Sequence, residues 1–242
     1  MFDDLSIQVQ KAIATYWRIR LNQSKKQKST DRADQGARSD VTGGAHMDGF
    51  VDLISDLIEQ LGIQSHCIHR SSKLELPGFF RPTKEWDLLV VKDGQLIAAM
   101  EFKSQVGPSF GNNFNNRTEE AMGSALDLWT AYREGAFNST IRPWLGYLFL
   151  LEDCAGSNKP VKVQEPHFPV MPEFKGASYA QRYEIFCRKL VRERHYSNAA
   201  FLMSKADQGM KGEFSQPAND LTIEAFARSL AGQMVSIKGS SK

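Results

Sequence analysis

Three residues in the stretch TKEWDLLVVKDGQLIAAMEFKSQ, residues 83–105, have types and spacing suited to chemistry: Asp87, Glu101 and Lys103. Asp87 precedes one apolar run and Glu101 follows the next, so both carboxylates stand at the ends far from the intervening turn. Two carboxylates that meet on one face can share a cation, and oxygen donors with a few retained waters suit Mg²⁺. A lysine beside that cation can hold a water and offset charge on a phosphate, which two bare carboxylates would repel. Acid, acid and lysine is an arrangement for phosphodiester hydrolysis. The same residues also read as strand-end charges that reach solvent, and a Glu-x-Lys tripeptide recurs widely by chance.

Whether the carboxylates meet depends on hairpin register, because strand side chains alternate faces. A two-residue Asp93-Gly94 turn pairs Lys92 with Gln95. Continued without interruption it sets Asp87 opposite Met100, which sends the two acids to opposite faces. A three-residue loop, Lys92-Asp93-Gly94 with a bulge at Gly94, pairs Val91 with Gln95 and Asp87 with Ala99. Asp87 and Glu101 are then diagonal neighbours, backbones roughly 7–8 Å apart, with Lys103 on the same face. This second register is the expectation.

The elements that position the hairpin follow from periodicity. Leu5, Val9, Ala12, Ile13, Tyr16 and Trp17 predict an amphipathic helix over 5–21. HMDGFVDLISDLIEQLG predicts a second, stopped by Gly62. IQSHCIHR reads as a short strand and LPGFFRP as a turn-rich connection. VGPSFGNNFNN is too polar and Gly-rich for a regular element, and Asn116 with Glu119 forms a capping-box start to a helix running to about Gly135. WLGYLFLLED predicts a central strand. A helix from about Ser178 to His195, a strand at AAFLMS and a last helix beginning near Thr222 complete the chain. Strands mixed with helices, around a hairpin apolar on both faces, indicate α/β or α+β layers with a sheet covered on both sides.

Composition is that of a globular chain: 242 residues, 41% hydrophobic and 24% charged, with a net charge of +2. That charge neither demands nor excludes nucleic acid. No apolar stretch approaches the roughly 18 residues needed to span a bilayer. MFDDLSIQVQ carries acids where a secretion signal has lysines, and three scattered cysteines fit a reducing compartment, so a cytoplasmic location and no membrane partner are expected. Residues 24–45 are polar, with five Lys/Arg against three Asp, and read either as a solvated loop or as an arm that orders over phosphates. Arg188, Arg192 and His195 have helical spacing and read as a solvated basic face. His66, Cys67 and His69 lack a fourth zinc ligand, and Gly43-Gly44 lacks the Lys-Ser/Thr of a phosphate loop, so no nucleotide cofactor is expected. Trp129 and Tyr132 read as core.

The acid on one strand with Glu-x-Lys on the next resembles the PD-(D/E)xK nuclease superfamily. The strings GGAHMDGF, LPGFFRPTKEWDLLV, EFKSQVGPSFGNNFNNRTEEAMG, PHFPVMPEFKGASY and RYEIFCRKL resemble the XhoI-type type II restriction endonucleases over most of the chain. One departure is Trp86, where the superfamily name has Pro before its first Asp. The resemblance implies a single restriction-endonuclease-like domain over 1–242, a mixed central β-sheet flanked by helices. It implies that Asp87 and Glu101 bind Mg²⁺ with the Phe102 carbonyl, and that Lys103 positions or activates the attacking water. Asp48 matches by position an acid that many members carry on the helix before the hairpin, and reads equally as a helix-start acid. The implied substrate is palindromic double-stranded DNA, CTCGAG, cut by a homodimer in a bacterial cytoplasm to leave 5′-phosphates, 3′-hydroxyls and 5′ overhangs. Asn112, Asn113, Asn115, Asn116 and Arg117 are candidates for base or phosphate contact, Asn116 also for a helix cap, and Arg188 and Lys189 for phosphates. A structure-directed or repair nuclease, or an inactive DNA-binding protein on the same fold, stand as alternatives.

Overall fold

The computed structural model describes residues 4–29, 44–138 and 141–239. Of the polar stretch 24–45, residues 24–29 continue the first helix, and most of the remainder, with the question of an ordering arm, lies outside the described residues. In chain order the helices and strands are α1 (Leu5–Ser29), α2 (Asp48–Gln60), β1 (Ile68–His69), β2 (Glu75–Pro77), β3 (Thr83–Glu85), β4 (Leu88–Lys92) and β5 (Gln95–Gln105). They continue with α3 (Phe110–Arg133), β6 (Trp144–Glu152), α4 (Ala155–Asn158), α5 (Tyr179–Arg192), β7 (Asn198–Ser204), α6 (Ala206–Gly209) and α7 (Ile223–Gly239).

The central sheet runs β1-β4-β5-β6-β7, and β2 pairs with β3 in a separate small hairpin. β4 runs antiparallel to both of its neighbours, β1 and β5, while β5, β6 and β7 are parallel. Parallel strands need crossovers, supplied by α3 between β5 and β6 and by α5 between β6 and β7. The sheet is thus mixed and flanked by helices, the expected class. β6 is interior, as its unbroken apolar run requires, although β5 is the middle strand.

Each face of the sheet has its own core. Met100 and Phe102 of β5 join Leu148 and Leu150 of β6 against α1, α2 and α7. Ala99 joins Tyr147 and Phe149 against α3 and α5, where Tyr183, Phe186 and Leu190 pack. α1 buries Leu5, Val9, Ala12, Ile13, Tyr16 and Trp17, each worth roughly 1.5–3 kcal/mol for the larger side chains. α2 can cross α1 closely because Gly49 has no side chain: a Cβ there would lie 3.1 Å from the Ala12 Cα. Trp129 is buried and its indole N–H donates to the His195 carbonyl at 2.8 Å, while Tyr132 is partly buried beside it, so both belong to the core as expected. Among the described residues no helix is long and apolar enough to cross a membrane.

Three expectations need correction. The hairpin turn is Asp93-Gly94, with Lys92 paired to Gln95, not the three-residue loop that would pair Val91 with Gln95 and Asp87 with Ala99. Asp93 and Gly94 both adopt positive φ, 51° and 72°, the backbone of a two-residue turn whose twist matches the strands. The register then shifts between Val90 and Val91, where Ile97 is the extra residue on β5. Ile97 and Ala98 both enter the core on the α1, α2 and α7 side, and alternation resumes one step later.

The second correction concerns residues 110–117, which are helical. α3 starts at Phe110 after Ser109, so Asn116 lies in its second turn and does not cap it. Phe110 and Phe114, one turn apart, pack on Tyr179, and Phe114 also meets Tyr183 and Phe186; that apolar face holds the asparagine-rich run in a helix. Third, α5 ends at Arg192, so His195 falls beyond the face carrying Arg188. The start of α5 is as expected: Ser178 accepts from the Gln181 N–H at 3.3 Å, and Gln181 returns the contact.

Candidate active site

Pairing of Leu88 with Met100 puts Asp87, one residue further, level with Glu101. The Asp87 N–H donates to the Met100 carbonyl at 3.2 Å, and Asp87 Oδ2 accepts the Phe102 N–H at 2.6 Å. The carboxylates therefore share a face, reached by a bulge inside the hairpin and not by the expected loop. Because a strand residue turns its N–H and C=O to the same edge, the Phe102 carbonyl also faces the side where Asp87 lies. Lys103, two residues beyond Glu101, shares the carboxylates' face.

Glu101 is 2% exposed, and its charge is fully engaged. Lys103 Nζ lies 3.1 Å and Lys84 Nζ 3.2 Å from Oε1, while the Tyr196 hydroxyl stands 3.1 Å from Oε2 and 3.2 Å from the Ala121 carbonyl. Burial alone would raise the Glu101 pKa, but the Lys103 and Lys84 charges outweigh it and hold the group below the ordinary carboxylate value. Asp87 goes the other way: burial raises it, against Lys103 and the Phe102 N–H. Burial would lower Lys103, yet Glu101 and then Asp87 raise it overall, so its head group stays cationic. The two carboxylates thus differ in readiness to hold a proton, and the lysine is a donor.

These groups open on a cleft of about 1,610 Å³. Asn113, Asn116 and Arg117 line it from one side of α3, as helical spacing dictates; Asn112 and Asn115 do not. Arg117 is paired with Glu120 at 2.6 Å. Asp48, the first residue of α2, also lines the cleft. Its pKa is raised by burial and by Asp52, and it makes no side-chain cap, so it is a first-turn acid. Among the described residues no three His, Cys, Asp or Glu side chains converge as a metal cluster. Arg188 and Lys189 lie outside the cleft lining. Arg188 is bound by Asp220 at 2.7 Å and Glu184 at 2.9 Å, and Lys189 by Glu173 at 2.6 Å.

Sequence reasoning missed Lys84, Tyr196 and Asp127. Lys84 and Tyr196 arrive at Glu101 from 17 residues before it and 95 after it. Asp127, buried on α3, accepts the Phe79 and Phe80 N–H groups at 2.7 and 2.8 Å and pairs with Arg81 at 2.8 Å, bracing the tip of the β2–β3 hairpin at the cleft's edge. No local signal marks Lys84 or Tyr196; for Asp127 the only hint is an acid at a helix position otherwise flanked by apolar residues.

The restriction endonuclease XhoI family profile matches residues 26–216. The chain belongs to the XhoI restriction endonuclease family. It is 56% identical over 208 residues to the type II restriction enzyme BstVI of Geobacillus stearothermophilus, covering 84% of this chain and 93% of that one. It is 49% identical over 181 residues to the type II restriction enzyme XhoI of Xanthomonas vasicola, covering 74% and 72%. The type II restriction enzyme AbrI of Azospirillum brasilense is 50% identical over 166 residues, 68% of this chain and 74% of its own. No solved structure matches the chain significantly. As a member of the XhoI family the protein is an enzyme, a nuclease of the type II restriction class.

Proposed function

We propose that this chain, residues 1–242 acting as one catalytic domain, hydrolyses double-stranded DNA at a palindrome, CTCGAG, in the bacterial cytoplasm. The ends would be 5′-phosphate and 3′-hydroxyl, and a homodimer would cut both strands. The observation that carries this reading is Asp87 level with Glu101 on adjacent strands, with Lys103 on the same face, at a cleft edged by polar groups of α3.

The donor set fits a hard divalent ion: two carboxylates on one face, with the Phe102 carbonyl turned to the same edge. Asp87 and Glu101 would hold Mg²⁺ with that carbonyl, and Asp48 would approach across the cleft. Bound there, the ion supplies Lewis-acid stabilisation of charge on the phosphate. Lys103, kept cationic by its carboxylate neighbours, donates a hydrogen bond to the attacking water or to a phosphate oxygen. Tyr196 fixes the orientation of Glu101 from behind. Asn113, Asn116 and Arg117 face the DNA across the cleft, asparagine suiting adenine edges and arginine guanine or phosphate. Asn112, Asn115, Arg188 and Lys189, outside the cleft, would reach only the flanking backbone.

A digest of plasmid carrying CTCGAG sites, with Mg²⁺ and with EDTA, tests the reading. Discrete Mg²⁺-dependent fragments with uniform phosphorylated ends are expected. Smears, cutting of branched substrates, or retarded but uncut DNA would each sink it. A methyltransferase that protects the same sites is expected in the host.

A further inference from the structure

Glu101 Oε1 carries two lysine head groups, and only Lys103 belongs to the acid-acid-lysine arrangement. Lys84 reaches the same oxygen from β3, a strand of the small hairpin outside the central sheet. Its ammonium also donates to the Glu85 carbonyl at 3.0 Å and sits 4.4 Å from the centroid of the Trp86 ring. The Lys84 side chain is 13% exposed and lines the cleft. It is therefore anchored at its own hairpin by two contacts that do not involve Glu101, with open space on one side.

Charge balance makes that placement informative. Asp87 and Glu101 bring two negative charges, and Lys84 and Lys103 bring two positive ones. A divalent ion held by the same carboxylates would leave two excess positive charges in a setting partly removed from water, where like charges repel strongly. A phosphodiester alongside relieves that excess, because it is anionic and its charge grows during cleavage. Lys103 is fixed on β5, two residues from Glu101. Lys84 is the group free to exchange partners, since Glu85 and Trp86 retain its head group at the cleft wall when Glu101 is withdrawn.

We propose that Lys84 is a place-holding cation, occupying Glu101 Oε1 in the free protein and turning to a backbone phosphate of the bound duplex when a divalent ion takes that oxygen. The inference rests on the phosphodiester-cleaving reading of the site. In this role Lys84 competes with the ion for Glu101 and contacts substrate, two properties that a merely structural ion pair lacks.

The test uses the full chain as wild type, Lys84→Met, Lys84→Gln and Glu101→Gln. Calorimetric titration of Mn²⁺ into DNA-free protein should show binding about five- to tenfold tighter in both Lys84 variants, because the competing charge is gone. Anisotropy titration of a CTCGAG duplex in Ca²⁺ at several salt concentrations should show weaker binding. The slope of log affinity against log salt should shrink by about one, the signature of one lost phosphate contact. Mn²⁺ affinity at or below wild type, or an unchanged salt slope, in whichever Lys84 variant folds would overturn the proposal. Equal Mn²⁺ binding by wild type and Glu101→Gln, in a wild type that does not cut, sinks the parent reading and this one with it. Normal cutting by wild type with unaltered Lys84 variants sinks only the role of Lys84.

Discussion

The two faces of the central sheet are built from the same strands but differ in kind. On the face covered by α1, α2 and α7, β5 contributes Ile97, Ala98, Met100 and Phe102, all buried and apolar. On the face covered by α3 and α5 it contributes Ala99, Glu101, Lys103 and Gln105, and the helices answer with Tyr183, whose hydroxyl donates to Gln105, and the α5–β7 turn with Tyr196. Burying Glu101 costs free energy unless its oxygens are satisfied, and two lysines and a tyrosine satisfy them. One face therefore stores stability and the other uses part of that stability to hold charges in place. The bulge at Ile97 separates the two roles: without it, uninterrupted pairing would place Asp87 opposite Met100, among the apolar residues.

Glu101 and Met100, adjacent on β5, point to opposite faces, so a substitution at each tests one face alone. Glu101→Gln removes the charge on which Lys84 and Lys103 converge, and single-turnover cleavage should fall by about a thousandfold or more while the protein still folds. A Glu101→Gln protein that cuts within about tenfold of wild type would mean that the polar face does not house the chemistry.

Much of this is legible in the residue pattern, and what is not has physical causes. Helical periodicity located α1, α2, α5 and α7, and the run at 144–152 was apolar enough to require an interior strand. Residue spacing alone puts Asp87, Glu101 and Lys103 on one face by way of a three-residue loop, whereas the protein reaches that face through a two-residue turn and a bulge. A hairpin apolar on both faces carries no alternation to reveal a bulge, so Ile97 and Ala98 gave no sign that they face the same way. The start of α3 was hidden because Asn112, Asn113, Asn115 and Asn116 mask the single pair Phe110 and Phe114 that packs on Tyr179. Lys84 and Tyr196 are brought to Glu101 by tertiary structure alone, which no local pattern records.

The apolar face is tested by Met100→Ala, one residue from Glu101. Met100 is fully buried, and its truncation should lower unfolding free energy by about 2–5 kcal/mol in urea titration. Cleavage per folded molecule, read at low temperature, should stay within a few-fold of wild type. A selective loss of cleavage with unchanged stability would erase the distinction between the faces.

Asp127→Asn probes how the polar face braces its rim. The substitution weakens contacts to the Phe79 and Phe80 N–H groups and to Arg81, and should cost about 1–3 kcal/mol at neutral pH. Burial would raise the Asp127 pKa, but the two N–H groups and Arg81 hold it below the ordinary carboxylate value. A carboxylate depressed in the folded state stabilises above its unfolded pKa of about 4, and that contribution vanishes as pH falls through the lower folded value. The gap between wild type and Asp127→Asn should therefore be full at pH 6 and close in acid, as thermal melts from pH 6 down to about 3 will register. A gap that stays constant with pH would mean that the charge of Asp127 does not brace the hairpin.

The smallest effect isolates orientation from charge. Tyr196→Phe removes one hydrogen bond to Glu101 Oε2 and leaves both lysines on Oε1. A lost hydrogen bond to a charged group is worth about 1.5–3 kcal/mol, but Oε1, the oxygen assigned to the cation, keeps both lysines, so the expected fall in cleavage rate is only about three- to tenfold. Mn²⁺ affinity should fall in the same proportion, because a carboxylate that turns freely must be ordered before it binds. If the rate falls while Mn²⁺ affinity and stability hold, Tyr196 acts on the substrate side and not through Glu101, and the polar face is organised by more than its carboxylates.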